Sequence, residues 1–242
     1  MVQQTDISAF HVDYVDMKDV WQTCRDAATG QRAIHKGRER YLPRLSGQSD
    51  TEYTAYLKRA LYFNATGRTV EGMVGLSFRK EPVVEVPEAM KPWLEDVTLS
   101  GLKAAALAKK VVDEVITVGR YGLLVDYPVA PQPQQGTRMT VEQARAMSLR
   151  PYITAYKAED IRYWDMQRVG AVTKLVELRL GETYVDDDGK EKLQIRQLVI
   201  EDGVYVQRLW REVVGSGWAV LQEYTPTMNG KALQDIPFYF CG

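Results

Sequence analysis

Glu191-Lys192-Leu193-Gln194-Ile195-Arg196-Gln197-Leu198-Val199-Ile200-Glu201 is followed by Asp202-Gly203. Then comes Val204-Tyr205-Val206-Gln207-Arg208-Leu209-Trp210-Arg211. Two runs rich in β-branched, aliphatic and aromatic residues thus flank an Asp-Gly pair, which predicts a β-hairpin. In the second run Val204, Val206, Arg208 and Trp210 alternate with Tyr205, Gln207, Leu209 and Arg211. That period of two predicts a strand with one wetter face. The pattern extends both ways, giving strands at 172–184, 191–201, 203–213 and 217–225, with turns at Asp188-Gly189, Asp202-Gly203 and Gly215-Ser216-Gly217. Asn229-Gly230 marks a further turn before Ile236-Pro237-Phe238-Tyr239-Phe240. Residues 151–242 therefore read as an antiparallel β region.

Upstream the period is helical. Residues 1–128 read as mainly helical, with weak helices at 16–28 and 30–41 divided at Gly30. Ser49-Asp50-Thr51-Glu52 fits a capping box, in which the Ser hydroxyl and the Glu carboxylate take up orphan backbone donors. Tyr53, Tyr56, Leu57, Ala60, Leu61 and Asn64 follow on one face, predicting a helix over 50–64 that Gly67 breaks. Another helix is expected over 68–78, where Gly72 and Gly75 read as sites of close helix packing. Pro82, Pro87 and Pro92 punctuate an extended connection around Val83-Val84-Glu85-Val86. Residues 101–118 carry Ala104, Leu107, Ala108, Val111, Val115 and Val118 on one face, with Asp113 and Glu114 on the other, and Gly119 closes the helix. Tyr121 to Tyr127 reads as a buried strand ended by Pro128. Residues 129–150 form a Pro/Gln-rich loop followed by a short helix from Thr140. The fold class is α+β, N-terminal helices followed by an antiparallel meander.

The chain has 242 residues, with 31 Lys plus Arg against 32 Asp plus Glu, so no overall basic excess marks the whole surface for nucleic acid. Two cysteines, Cys24 and Cys241, read as reduced thiols rather than a disulfide framework. The N-terminus lacks the basic start and apolar core of a signal peptide, and no membrane span is expected.

Motifs for chemistry are scarce. His11 and His35 do not form a ligand pair, and the cysteines lack CxxC spacing, so no metal, cofactor or catalytic residue is assigned. Asp186-Asp187-Asp188-Gly189 reads as a polar hairpin tip, because a calcium loop alternates its carboxylates. Asp113, Glu114, Asp126, Glu159 and Asp160 are the carboxylates that could assemble a two-carboxylate or Mg²⁺ site, and a metal-dependent nuclease or hydrolase would use Asp126 with Glu159 or Asp160; a solvated helix face and a turn explain the same residues equally well. Arg32, Lys36, Arg38, Arg40 and Arg44 cluster with Glu39 as the sole acid among them. Such a stripe fits phosphate, an acidic partner or a solvated helix face.

Several segments together resemble the portal and portal-like proteins of tailed phages and prophages. They are Arg40-Tyr41-Leu42-Pro43-Arg44-Leu45 with Tyr53, Tyr56, Arg59 and Ala60, then Tyr62 to Leu76 leading into Phe78-Arg79-Lys80-Glu81-Pro82. Val118 to Pro128, Pro151-Tyr152-Ile153 with Tyr156, and Ile236-Pro237-Phe238 complete the set. The resemblance covers about residues 40–240 and implies the peripheral wing of a ring-forming protein at one capsid vertex. It further implies a virion location after assembly in the host bacterial cytoplasm, with rings typically twelvefold. Implied partners are other copies of the chain, capsid and scaffolding proteins, the terminase motor, the tail connector and double-stranded DNA. The stem and clip that line the channel in such proteins would follow the last strand, so the natural protein is expected to continue past Gly242. A small phage head-assembly adaptor is the further alternative. The 242-residue chain is expected to be mostly monomeric or weakly associated, and a longer one to close into rings.

Overall fold

The computed structural model describes residues 6–128, 140, 142–143, 147–228 and 230–242. Its α-helices are α1 (Val12–Thr29), α2 (Gln31–Gly37), α3 (Asp50–Arg59), α4 (Ala65–Ser77) and α5 (Ala104–Val118). The strands are β1 (Tyr121–Asp126), β2 (Tyr152–Lys157), β3 (Ile161–Val169), β4 (Val172–Val185), β5 (Glu191–Glu201), β6 (Val204–Val213) and β7 (Gly217–Tyr224). Short β8 (Thr227–Met228) and β9 (Lys231–Ala232) pair with each other, and β10 (Phe238–Cys241) ends the chain. The molecule is α+β with antiparallel sheets.

Strands β3 to β7 form a five-stranded meander in chain order. Asp202 and Gly203 both hold positive φ, 49° and 78°, as a two-residue turn of that twist requires. β1 belongs elsewhere: it is the middle strand of a second sheet ordered β10-β1-β2. The helical half of the chain thus donates a strand to the β half. Leu124 of β1, Ile161, Leu178, Leu180, Leu198, Tyr205, Ile236 and Phe238 share one core that joins the two sheets. Fully burying an aliphatic or aromatic side chain contributes about 1.5–3 kcal/mol, so this cluster dominates the stability of the β half. Gly122 is needed there, because a Cβ would meet the Phe238 ring and, at 2.9 Å, Ile161. A second cluster, Trp21, Val118 and Ala158, seats α1 and α5 beside it.

The helices depart from expectation in instructive places. The Ser49–Glu52 capping box is present, but α3 stops at Arg59 rather than continuing to 64. Ala60 turns extended at φ −62°, ψ 128°, and Asn64 caps the next helix instead of lining an apolar face. Its Oδ1 accepts from the Gly67 amide at 2.8 Å, while its Nδ2 donates to the Ala28 carbonyl at 2.8 Å. Gly67 is therefore no breaker. It sits in the first turn of α4, where a Cβ would meet the Ala28 carbonyl oxygen at 2.5 Å.

Gly72 and Gly75 have open space where a Cβ would stand, so close packing among the described residues does not explain them. Glu114, expected on the wet face of α5, is 7% exposed. The 83–86 connection leads into a 3-10 segment, Glu88–Glu95, that periodicity did not indicate. Most of the expected 129–150 loop and helix lies outside the described residues, although Thr140 and Gln143 exchange reciprocal capping bonds at 2.9 and 3.2 Å. No helix among the described residues is long and apolar enough to cross a membrane.

Candidate functional site

The basic stretch is divided by its own fold. α1 ends at Gly30, whose φ of 95° permits the sharp turn into α2. Arg32 and Lys36 lie one turn apart on α2, both exposed, with no ion pair among the described residues. Beyond them Arg38 takes a positive φ of 46°, which redirects the chain. Arg40 then turns back to α1, donating to the Asp19 carbonyl at 2.8 Å and to Thr23 Oγ1 at 3.1 Å. Arg44 pairs with Asp50 at the start of α3. Tyr53, fully buried, forms a platform beneath this region; its hydroxyl donates to the Leu42 carbonyl at 2.8 Å. The guanidinium carbons of Arg44 and Arg38 lie 4.9 and 5.6 Å from its ring centre, within cation–π range. Of the five candidates, Arg40 and Arg44 are engaged within the chain, Arg38 leans on Tyr53, and Arg32 and Lys36 remain available to an external anion.

Behind this surface is a cavity of about 450 Å³ lined by Ala27, Ile34, His35, Tyr41, Leu42 and Tyr62. Its polar groups are engaged locally. His35 Nε2 lies 2.8 Å from the Ala60 carbonyl, Tyr41 donates to Asp26 at 2.6 Å, and Tyr62 donates to the Ala27 carbonyl at 3.1 Å. Shape and apolar lining are what this cavity offers a ligand.

The carboxylates lie in two separate networks. Asp126, at the end of β1, accepts from Gln207 Nε2 at 3.1 Å, Tyr224 at 3.2 Å and Tyr152 at 3.3 Å, with Arg196 at 3.7 Å. Arg196 binds Glu182 at 2.7 Å, and Glu182 also accepts from Tyr156 at 2.6 Å and Gln194 at 3.0 Å. Burial opposes the charge on Glu182, yet the bond to Arg196 and the donors around it hold its pKa below the usual carboxylate value. Burial, and then the Asp126 charge, push the Tyr152 hydroxyl up to about 12.

Glu159 and Asp160 lie at the far end of the β1–β2 ladder, which pairs Asp126 with Tyr152 but Tyr121 with Lys157. Five residues of strand, roughly 17 Å at 3.3–3.4 Å each, separate the ends. Glu159 instead pairs with Arg25 of α1, which also donates to Glu114 at 2.7 Å. Asp160 turns back to the Lys157 amide at 3.2 Å. The structure does not bring Asp126 together with Glu159 or Asp160, so these residues do not form the two-carboxylate site that the sequence allowed. Among the described residues no group of three or more His, Cys, Asp or Glu is placed to hold a metal ion. At the hairpin tip Asp186 accepts from the amides of Asp188 and Lys190, at 3.0 and 2.9 Å.

No protein-family model and no curated protein matches this chain. Function is therefore read from its own surfaces. The most distinctive one was missed by periodicity, which treats every apolar helix position as core. On α4 only Gly67, Val70 and Val74 are buried. Met73 and Leu76 stand exposed beside Gly72 and Gly75, and Leu61, Phe63 and Val83 stand exposed in the flanking connections. The signal that would have found it is the Gly72–Gly75 pair, three residues apart in a helix and flanked by large apolar residues.

Proposed function

We propose that the chain is a structural assembly protein of the phage portal kind, supplying the peripheral wing of a ring at the capsid vertex. There it would serve head assembly, double-stranded DNA packaging and tail attachment, in contact with copies of itself, capsid and scaffolding proteins, the packaging motor and the tail connector. The portal-like segments over residues 40–240 give the reading its direction. The observation that carries it is the outer face of α4. Two mid-helix glycines cost about 1 kcal/mol each relative to Ala, and here nothing among the described residues packs against them. Leu76, next to Gly75 in the same helix, is 73% exposed. Apolar surface and missing side chains on one face are what a neighbouring subunit's backbone needs for close approach. A ring supplies such a neighbour at every subunit through a head-to-tail contact. Arg32 and Lys36 offer a separate point of attraction for phosphate or an acidic partner.

Sedimentation velocity over a range of concentrations, with electron microscopy of the associated species, tests this reading. Weak reversible head-to-tail association of a minor fraction, without closed rings, is expected, and Leu76→Glu should abolish it without changing the melting temperature. A wild-type chain monomeric at every concentration, a two-fold dimer, or association indifferent to Leu76→Glu would overturn it.

A further inference from the structure

Helix α2 faces two ways. Ile34 and His35 form part of the wall of the cavity of about 450 Å³, while Arg32 and Lys36 stand exposed outside it. Another part of the wall, Ala60 and Leu61, follows directly on Lys58 and Arg59, both exposed. Glu39 is the sole acid between Arg32 and Arg44. The cavity is thus an apolar hole with a basic rim. Leu61 is 89% exposed and also belongs to the apolar surface beside α4. The hole therefore opens next to the face assigned to a neighbouring subunit.

The β half carries a counterpart. In a meander that runs in chain order alternate turns share one end, so the β4–β5 and β6–β7 turns are neighbours. Arg211 over the Tyr184 ring, 3.8 Å from its centre, ties the two hairpin ends together. At the β6–β7 tip Val213 is half-exposed and Val214 is 98% exposed. Gly215 and Gly217, at φ 81° and 74°, leave the backbone beyond it nearly bare. Asp187, Asp188, Glu191 and Glu212 stand exposed around these valines. Lys190 opposes them, but Lys192 is held by Asp186 at 2.6 Å and Arg211 by Tyr184. The tip is an apolar knob with an acidic rim. The other apolar turn, between Val169 and Val172, has no acid between Arg168 and Lys174, so a basic rim selects against it.

A cavity of about 150 Å³ accepts a benzene ring, so this one has room for aliphatic side chains of a hairpin tip. Opposite charges around matching apolar surfaces steer encounter and suppress wrong partners. A knob and a hole in different parts of one chain make a heterologous contact. We propose that the cavity receives the β6–β7 tip of a second copy, Val214 entering the hole and the acidic rim meeting Arg32, Lys36, Lys58 and Arg59. The bare backbone at Gly215 and Gly217 then lies over Gly72 and Gly75 of α4. This inference rests on the ring reading and names the parts that meet.

Complementation tests it. Leu61→Glu spoils the mouth of the hole and Val214→Glu spoils the knob. Both positions are exposed, so both melting midpoints should stay at the wild-type value. In sedimentation velocity neither variant alone should associate. With one of them fluorescently labelled, their mixture should form a one-to-one dimer as tightly as wild type pairs, and nothing larger. Lys36→Glu should weaken wild-type pairing roughly threefold, as a rim charge does, and adding Glu212→Lys should restore it. No dimer in the mixture, wild-type association by Val214→Glu, or no recovery in the charge-reversed double variant overturns the proposal. If Leu76→Glu still abolishes association in that case, the ring reading stands without it. Loss of association in Leu61→Glu alone gives the cavity to another segment of the neighbour and also overturns the proposal. A wild-type chain that stops at a two-fold dimer, with the mixture still pairing, keeps the tip in the cavity and removes the ring.

Discussion

At the scale of single residues, what the sequence disclosed was local. Ser49 and Glu52 stand three apart, and their exchange of hydrogen bonds needs nothing beyond one helical turn. Ser49→Ala should cost about 1 kcal/mol, read as a lower melting midpoint; an unchanged midpoint would remove Ser49 from the cap. Glu114 was illegible for the opposite reason. Its partner Arg25 comes from α1, 89 positions away, and no helical wheel contains that partner. The same holds for Glu182, whose ligands come from β2 and β5. Its lowered pKa gives the stability of the chain a defined acid limb. The contribution is complete above the unfolded carboxylate value of about 4.3 and is lost as pH falls through the lower folded value. Glu182→Gln should be less stable than wild type at neutral pH, and urea midpoints should show that gap closing as pH falls below the ordinary carboxylate value. A gap that stays constant with pH would mean that the Glu182 charge is not what the network stabilises.

At the scale of elements, the meander was legible because its alternation and its Asp-Gly turns are properties of neighbouring residues. Helix lengths were less so. Ala60 and Leu61 continue the apolar spacing of α3, yet the chain leaves the helix there, because Asn64 gains an amide of α4 and a carbonyl of α1 at once. Periodicity also could not assign the outer face of α4, since apolar residues at an interface between chains and apolar residues in a core look alike. Gly72→Ala and Gly75→Ala separate the two roles. Each has open space for a methyl group, so each should stabilise the isolated chain by up to about 1 kcal/mol in thermal unfolding. Both should weaken self-association in sedimentation. Stabilisation with association intact would mean that no backbone approaches this face.

At the scale of the whole molecule, the fold class followed from the change of period near residue 151, but the placement of β1 did not. Strand pairing between distant segments leaves no local mark, and β1 reads as a buried strand whichever neighbours it has. The structure sets it between β2 and β10, with Phe238 packed against Tyr156 and over Gly122. Phe238→Ala should therefore cost about 3–5 kcal/mol. Hydrogen exchange should quicken in β1 and in β4 and β5 together, since one core serves both sheets; acceleration confined to β10 would mean that the sheets are energetically separate. The same arrangement orders events in time. A ribosome delivers the helices and β1 first, and β1 gains its last partner only after the entire meander has been made. Until then the nascent chain carries a half-paired apolar strand, a period in which its open edge is exposed to misassembly and a chaperone is useful. The core that joins the two sheets is likewise complete only when Ile236 and Phe238 arrive, so the β half closes last in the order of synthesis.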